Sequence, residues 1–403
     1  MAKWAVAMSG GVDSSVAAGL LAAEGHEVVG LTMNLWPDWL PEPDDAFKAC
    51  CGVSAIEDAR AVAHRLDIRH YVLNMREEFE RAVISYFAGE YAHGRTPNPC
   101  IACNQAIKFS LLLHKVTALG LDGVVTGHYA RVEEDRLSGR YHLLRARDPH
   151  KDQSYVLYGL TQAQLARIRL PIGEYTKEQV RNLARQFGLP VADKPDSQEI
   201  CFVPRGSYAD VVARFHPEAL QPGPILDTAG RVLGQHHGIA RYTIGQRRGL
   251  GPALGRDSAR ESSGGWADGQ PKFVVAIDAQ RNAVIVGEER DLLCDELTAS
   301  EVNWIAIESL DAPRGVTARV RHASRDVAAT VCPGGSVGEI TIQFAEPQRA
   351  PSPGQAVTLY DGDRVLGGGT ITQIKTPARP CASPPHLKET RSSVSLHSGG
   401  QTR

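Results

Sequence analysis

The stretch SGGVDSS at residues 9–15 decides the fold of the N-terminal part of this chain. It follows an apolar run at residues 4–8, which predicts a β-strand, and it leads into an amphipathic run at residues 14–24, which predicts a helix. A glycine pair lets the backbone turn sharply between the two elements. Ligands of open α/β sheets bind where a strand ends and its helix begins, so the stretch predicts a ligand site.

Apolar and amphipathic runs alternate up to about residue 126. This alternation is typical of βαβ units and predicts an α/β domain in which helices cover a parallel sheet. The runs are residues 4–8, 14–24, 28–33, 54–66, 71–73 and 123–126. Two further helices are predicted at residues 161–167 and 176–187.

Beyond about residue 204 the chain is rich in glycine, proline and short alternating apolar runs. This pattern predicts two small β-rich domains, the last of them a β-barrel. We predict a catalytic domain at 1–205, a central domain at 206–290 with a loop at 262–265, and a C-terminal domain at 291–375. Residues 376–403 predict a disordered tail, because they cannot bury enough apolar surface to fold.

The composition limits the partners that this chain can bind. There are 44 Lys and Arg against 46 Asp and Glu, a net charge of −2, so an RNA site must be a local basic patch. No run has the ~20 apolar residues of a membrane span, and the first residues predict a strand and not a signal peptide, so we expect a cytoplasmic protein without a membrane partner. The 8 cysteines are irregularly spaced, which favours reduced thiols over a secreted disulfide framework.

The chemistry of the SGGVDSS stretch is that of a phosphate site. Backbone N–H groups at residues 11–14 and the positive end of the helix can bind an anion, and the hydroxyls of Ser9 and Ser14 add donors. Asp13 is suited to capping the helix or to holding magnesium. The lysine of a Walker A loop is missing, so the alternatives are a glycine-rich turn with a helix cap or a different kind of nucleotide loop.

The stretch resembles the pyrophosphatase loop of enzymes that cleave ATP and leave an adenylated substrate. Met33 and Gly127, at the ends of two predicted strands, are placed to line an adenine pocket or simply to pack there. The predicted ATP-binding residues are Ala7, Met8, Ser9, Gly10, Gly11, Val12, Asp13, Ser14, Met33 and Gly127.

Two cysteine motifs narrow the range of possible substrates. The motif RTPNPCIACN at residues 95–104 precedes a helix predicted to start near Gln105, and a helix N-terminus lowers the pKa of a thiol below its usual ~8.5. Cys103 is therefore the better placed of the two thiols to act as nucleophile or sulfur carrier. Cys201 follows DKPDSQEI at residues 193–200, where Lys194 supplies a positive charge. Sequence spacing leaves open whether Cys103 and Cys201 meet.

A structural zinc site is the alternative for the CxxC motif, but a second pair with metal-ligand spacing is not evident, so we predict no structural metal. The other cysteines lack a charged constellation around them. We expect these thiols to be structural or incidental: Cys50, Cys51, Cys294, Cys332 and Cys381.

Five motifs occur in the order SGGVDS, TPNPCIACN, TGHY, KDQSY and DSQEICF, and together they resemble the tRNA-specific 2-thiouridylase family up to about Lys375. The resemblance implies 2-thiolation of the wobble uridine of tRNA, with ATP adenylating the 2-oxygen and AMP and pyrophosphate as products. It assigns Cys201 as carrier of a persulfide delivered by a partner protein, and Cys103 as nucleophile. Cys100 occupies a position that varies in the family, so it is not assigned as the nucleophile.

The resemblance also implies residues that contact tRNA. Lys151, Asp152 and Gln153 match a tRNA-binding motif, and Asn98, Pro99 and Cys100 form the loop presented to the flipped base. Arg319 and Arg321 are predicted to share one face of a strand, although Val320 replaces a frequent aromatic. The remaining predicted tRNA contacts are His128 and Gln355.

Three alternatives remain open at this point. An iron–sulfur cluster on Cys100, Cys103 and Cys201 would fit the use of three cysteines by related tRNA thiolases. An ATP-pyrophosphatase ligase for a small metabolite would use SGGVDS but leave both cysteine motifs without a role. A non-catalytic RNA-binding module would use the β-rich domains alone.

Overall fold

A computed structural model describes residues 1–40, 53–196, 200–203, 208–250, 270–322 and 324–376. Cys50, Cys51, Cys381, the loop predicted at 262–265 and the tail predicted beyond residue 376 lie outside the described residues. Among the described residues, the structure contains no helix with the length and apolar character needed to cross a membrane.

The N-terminal part is a five-stranded parallel sheet with strand order β3-β2-β1-β4-β7. Its strands are β1 Lys3–Ala7, β2 Glu27–Asn34, β3 Arg69–Asn74, β4 Gly123–Val125 and β7 Ile168–Arg169. Separate apolar clusters pack on its two faces because both faces are covered by helices. The predicted α/β class is confirmed, and the carboxyl ends of β1, β2 and β4 meet at one edge.

The helices predicted at residues 14–24, 54–66, 161–167 and 176–187 are present. Helices at residues 76–79, 85–92 and 208–215 were not predicted, and the helix at the cysteine motif begins earlier than predicted. The helices are α1 Val12–Ala23, α2 Val53–Arg65, α3 Arg76–Phe79, α4 Ser85–Ala92, α5 Pro99–Ala102, α6 Leu113–Ala118, α7 Gln162–Leu165, α8 Lys177–Gln186 and α9 Tyr208–Phe215. A π-helical segment, Cys103–Leu112, joins α5 to α6, so the helix begins at Pro99. The predicted start near Gln105 is wrong, because the Asn98 side chain caps the helix by accepting from Cys100 N at 3.1 Å.

Two β-rich units follow. The first is a four-stranded sheet of β8 Gly223–Asp227, β9 Val232–His236, β10 Phe273–Asp278 and β11 Ala283–Gly287. The second contains β12 Leu293–Trp304, β13 Arg314–Arg319, β14 Val327–Pro333, β15 Ile340–Arg349, β16 Ala356–Asp361 and β17 Arg364–Lys375. Pairing of β12 with β17 closes these six strands into the predicted barrel around an apolar core.

The barrel is attached to the N-terminal part by a hairpin that sequence reasoning did not predict. This hairpin, β5 Ala130–Asp135 and β6 Arg140–Arg145, directly follows the segment after β4 and adds to the barrel sheet through β17. The segment that ends β4 and the segment that follows β6 are therefore both held close to the barrel.

Candidate active site

The nucleotide loop leaves β1 and enters α1 through Gly10 and Gly11. Gly10 has φ +65°, and a Cβ atom there would lie 2.3 Å from the carbonyl oxygen of Ala55. Gly11 is extended and precedes the first helical residue without a side-chain cap. The first N–H groups of α1 are therefore available to an anion instead of being used by a capping side chain.

Serine hydroxyls hold this loop from within. The Ser9 backbone N–H donates to Ser14 Oγ at 3.1 Å, and the two hydroxyl oxygens of Ser9 and Ser14 lie 3.3 Å apart. Ser15 Oγ donates to the Gly11 carbonyl at 2.8 Å. Gly127 packs directly on the start of α1, where a Cβ atom would lie 2.5 Å from the Ser14 nitrogen. Residues far apart in sequence thus pack together at the start of α1.

A cavity of about 640 Å³ opens over the nucleotide loop, a volume in the range of small-molecule and cofactor sites. Of the residues predicted to bind ATP, all but Gly10 line it: Ala7, Met8, Ser9, Gly11, Val12, Asp13, Ser14, Met33 and Gly127. Its other walls come from the helix at residues 99–112 (the cysteine helix), the segment at residues 126–129 after β4, the loop at residues 151–153 (the KDQ loop), and residues 194–196 with Ile200. Residues that line it without having been predicted include Lys108, Thr126, Tyr129, His150, Lys194, Asp196 and His322.

Asp13 is held by two of the residues that sequence reasoning missed. Its carboxylate accepts from Lys177 Nζ at 2.7 and 2.9 Å and from the Tyr129 hydroxyl at 2.8 Å. Burial, together with the Asp13 carboxylate, raises the pKa of Tyr129 above its usual value, so the phenol remains a donor. Lys177 begins α8, and no motif in the sequence marks it as a partner of the nucleotide loop.

Residues 194–196 contact the nucleotide loop and its supporting lysines. Asp196 accepts from Lys151 Nζ at 2.8 Å and pairs with Lys177 Nζ at 2.7 Å. Burial alone would raise the pKa of Asp196, but the hydrogen bonds from Lys151 and Lys177 outweigh it and hold the pKa below its usual value. Lys194, predicted to supply charge near Cys201, donates to the Gly10 carbonyl at 3.0 Å and pairs with Asp58.

The three cysteines of interest differ in exposure. Cys100 is exposed in the first turn of α5 and lines the cavity, whereas Cys103 is buried and Cys201 is partly buried. Cys103 belongs to an apolar cluster against which Cys201 also packs. The helix-start argument made for Cys103 therefore applies to Cys100 instead, and the choice of Cys103 as nucleophile rests on the family resemblance.

Four of the predicted tRNA residues line the cavity: Cys100, His128, Lys151 and Gln153. The His128 ring lies 2.7 Å from Thr126 Oγ1 through its Nδ1 atom. Burial, with a smaller effect of Lys108, holds the pKa of His128 well below its usual value, so the ring is neutral. Gln153 Oε1 accepts from the Tyr129 backbone N–H at 2.9 Å.

The remaining predicted tRNA residues make contacts within the protein. Asp152 is buried and pairs with Arg319 Nη1 at 3.1 Å. Arg321, which lies beyond the end of β13, donates through Nη2 to the Ala350 carbonyl. Gln355 Nε2 donates to the Thr96 carbonyl at 2.9 Å, and so ties the barrel to the cysteine motif.

Asn98 lines a second cavity of about 220 Å³, between the cysteine helix and the barrel, and Pro99 beside it is buried. Tyr86, Gln105 and Glu301 also line this cavity. The structure thus places Asn98 and Cys100, which are two residues apart, at the walls of different cavities.

In the described ranges, no three or more His, Cys, Asp or Glu side chains are grouped so that they could hold a metal ion. Cys100, Cys103 and Cys201 thus do not form a ligand set that fits an iron–sulfur cluster. The Asp13 carboxylate is engaged by Lys177, so magnesium brought with a nucleotide would compete with that ammonium group for it.

Three family models match this chain. Residues 2–205 match a model described as tRNA methyl transferase HUP domain, and residues 209–288 match the tRNA methyl transferase PRC-barrel domain. Residues 294–371 match the Aminomethyltransferase beta-barrel domain.

Relatives that match this chain over nearly their whole length are named tRNA-specific 2-thiouridylase MnmA. The protein of Moorella thermoacetica is 53% identical over 92% of this chain and 99% of its own length. The protein of Symbiobacterium thermophilum is 50% identical over 91% of each chain. A solved 4-thiouridine synthetase in complex with RNA and ATP covers 54% of this chain and 51% of its own, at 14% identity and a TM-score of 0.33, and that likeness carries no argument.

Proposed function

Because this chain belongs to the tRNA-specific 2-thiouridylase family, we propose that it uses ATP to replace the 2-oxygen of the wobble uridine of tRNA with sulfur. The enzyme class is a sulfur-transferring transferase. The observation that carries the proposal is one cavity whose walls include the nucleotide loop, Cys100 and the KDQ loop. A nucleotide and an extruded base can thus meet in a single chamber.

The first half of the reaction is adenylation. The uridine 2-oxygen attacks the α-phosphorus of ATP, pyrophosphate leaves, and the oxygen becomes an ester of AMP. The N–H groups at the start of α1 and the ammonium groups of Lys177, Lys194 and Lys151 would stabilise the phosphate charge. Magnesium, held by Asp13 and the phosphates, would neutralise further charge on pyrophosphate.

The second half is sulfur transfer. A partner protein loads Cys201 with a persulfide, and the thiolate of Cys103 attacks the sulfur of Cys201, breaking the persulfide bond and releasing hydrosulfide. Hydrosulfide attacks C2 of the activated base, and AMP leaves with the former uridine oxygen. A Cys103–Cys201 disulfide remains, and an external thiol reductant restores both thiols before the next turnover. No step passes through an iron–sulfur cluster.

RNA would bind to a local group of polar and basic residues and not through the overall charge of the protein, because the net charge is −2. Lys151, His128 and Gln153 line the cavity where a flipped uridine would sit, and the exposed Cys100 lines the same cavity. Asn98 and Pro99 would shape the loop beside the base. The other predicted tRNA contacts already make contacts within the protein, so they would bind tRNA while keeping them: Asp152, Arg319, Arg321 and Gln355.

Methyl transfer, which two family-model descriptions mention, is the competing function. Thiolation is favoured by the 53% identical relative and by the packing of Cys103 and Cys201 on the same apolar cluster. A cytoplasmic location is part of the proposal, because tRNA, ATP and reduced thiols occur together there.

The test is nucleoside analysis by mass spectrometry after incubation with ATP, a persulfide donor and unmodified tRNA. We expect 2-thiouridine, formed only when ATP is present, and pyrophosphate release that depends on tRNA. Pyrophosphate release indifferent to tRNA would favour the small-molecule ligase, and a methylated nucleoside would favour the competing transferase.

A further inference from the structure

We propose that Arg319 of the barrel is a positioning residue for the ATP site, acting through Asp152 on the neighbouring residues Lys151 and Gln153. The inference rests on the proposed use of ATP. It assigns the barrel a part in building the nucleotide cavity before any tRNA binds, and so differs from the tRNA contact predicted for Arg319.

Arg319 and Asp152 belong to a closed ring of four charges. Asp152 Oδ2 lies 3.1 Å from Arg319 Nη1 and 3.5 Å from Arg145 Nη1. Asp326 completes the ring, at 2.8 Å from Arg319 Nε and 2.7 Å from Arg145 Nη2. The guanidinium of Arg145 also lies 3.5 Å from the centre of the buried Tyr360 ring. Two arginines and two carboxylates therefore balance one another where the barrel meets the hairpin.

Burial makes this ring sensitive to the loss of one member. The side chain of Asp152 is only 2% exposed and that of Arg319 13%. Removal of one partner from a buried pair leaves a charge without compensation, which costs far more than the loss of a surface pair. Asp152 also accepts from the backbone N–H groups of Ala146 and Ser154, so its carboxylate fixes the backbone on both sides of the KDQ loop.

A chain of contacts leads from this ring to the nucleotide loop. Gln153, the next residue after Asp152, accepts from the Tyr129 N–H at 2.9 Å and donates through its own N–H to the Tyr129 carbonyl at 2.8 Å. The Tyr129 hydroxyl in turn donates to Asp13 at 2.8 Å. On the other side of Asp152, Lys151 reaches Asp196 in the same cavity. A shift of Asp152 would therefore move the Lys151 ammonium group and, through Gln153, the Tyr129 hydroxyl, both of which belong to residues that line the cavity.

The barrel also contributes to the cavity directly. His322, three residues after Arg319, is exposed and lines the cavity. Its ring centre lies 6.1 Å from that of Tyr155, which is fully buried in the segment after the KDQ loop. The barrel thus supplies part of the cavity wall through His322, in addition to its contacts through the charge ring.

The experiment measures ATP affinity of the full chain by titration calorimetry without tRNA or sulfur donor. The variants are Arg319→Met, Arg319→Lys and Asp152→Asn. The matched control is Arg314→Met on the same strand, since Arg314 pairs at 2.7 Å with Asp361 at an exposed site of the barrel. Circular dichroism and melting temperature report whether each variant is folded.

We expect Arg319→Met and Asp152→Asn to weaken ATP binding about tenfold, Arg319→Lys to weaken it less, and Arg314→Met to change it by less than about twofold. Wild-type ATP affinity in folded Arg319→Met would overturn the proposal, whatever that variant does to tRNA binding. If Arg319→Met does not fold, wild-type affinity in both Arg319→Lys and Asp152→Asn overturns it equally. Absence of ATP binding by the unmodified protein would instead reject the proposed function itself.

Discussion

The nucleotide loop and the sulfur side of the cavity are built in opposite ways. The loop is formed by β1, α1 and hydrogen bonds among Ser9, Gly11, Ser14 and Ser15, all within a few residues of one another. The sulfur side gathers Cys100 and Cys103 from one helix, Cys201 from a distant segment, and support from the barrel through Gln355. A local site can be recognised from its motif, whereas an assembled site depends on the correct packing of remote segments.

The largest expected effect is a loss of thiolation without a loss of ATP binding, which would separate the sulfur side from the nucleotide loop. Cys103→Ser and Cys201→Ser should each lower thiolation by at least about a thousandfold, because a hydroxyl can neither carry nor attack a persulfide. ATP affinity should stay within about twofold of wild type, since the nucleotide loop is built without these thiols. Thiolation is measured by nucleoside mass analysis.

Cys332→Ser serves as the control, because Cys332 is a partly buried thiol on β14, away from the cavity. It should thiolate tRNA as the unmodified protein does. Full activity of Cys103→Ser would show that the sulfur side has been assigned to the wrong residue of the CxxC motif.

A single methyl group added to the nucleotide loop should weaken ATP binding. Gly10→Ala should weaken ATP binding about a hundredfold, because its Cβ would lie 2.3 Å from Ala55 O and the loop would have to move. Gly120→Ala is the matched control: Gly120 also has a positive φ, of +77°, but a Cβ atom added there would have no neighbour within 4 Å. Equal ATP affinities of the two variants, measured by calorimetry, would refute the close contact as the cause.

Loss of Lys177, which the sequence did not predict, should weaken ATP binding less than a change in the loop backbone does. Lys177→Met removes the ammonium that joins Asp13 to Asp196 and should weaken ATP binding about tenfold. Arg185→Met, on the same helix α8, loses only an exposed pair with Asp193 and should bind ATP normally. An unchanged affinity in Lys177→Met would mean that the bridge serves neither the loop nor its ligand.

The smallest expected effect is a pH dependence of stability at His128. Its pKa in the folded state lies below the unfolded value of about 6.5, so its contribution is complete above that pH and is lost as the pH falls. His128→Gln should therefore reduce the loss of unfolding free energy between pH 7.5 and 5.5 by about 1 kcal/mol in urea titrations. His114→Gln, at an exposed position of α6, should leave that loss unchanged.

The fold and the nucleotide loop can be predicted because their signals are periodic or local. The βαβ pattern, the glycine turn and the alternating apolar runs of the barrel all follow from neighbouring residues. The predicted helix start is misplaced because an Asn98 cap followed by proline has the residue pattern of a loop.

The rest of the site could not be predicted, because its partners are distant in sequence. Lys177 meets Asp13 across 164 positions, and Arg319 meets Asp152 across 167. The residues next to Lys177 and Arg319 in the sequence do not indicate these distant partners. The sequence alone therefore predicts that Arg319 contacts RNA at the surface. The hairpin that carries Arg145 to the barrel likewise has the pattern of any exposed hairpin.

The most direct test of the account follows the oxygen atom that sulfur replaces. Transfer RNA is prepared with oxygen-18 at the 2-position of the wobble uridine and is thiolated with ATP and a persulfide donor, and the AMP is analysed by mass. We predict that each AMP formed with 2-thiouridine carries the heavy oxygen in its phosphate. Unlabelled AMP, with the label released to water, would contradict activation of the base by adenylation.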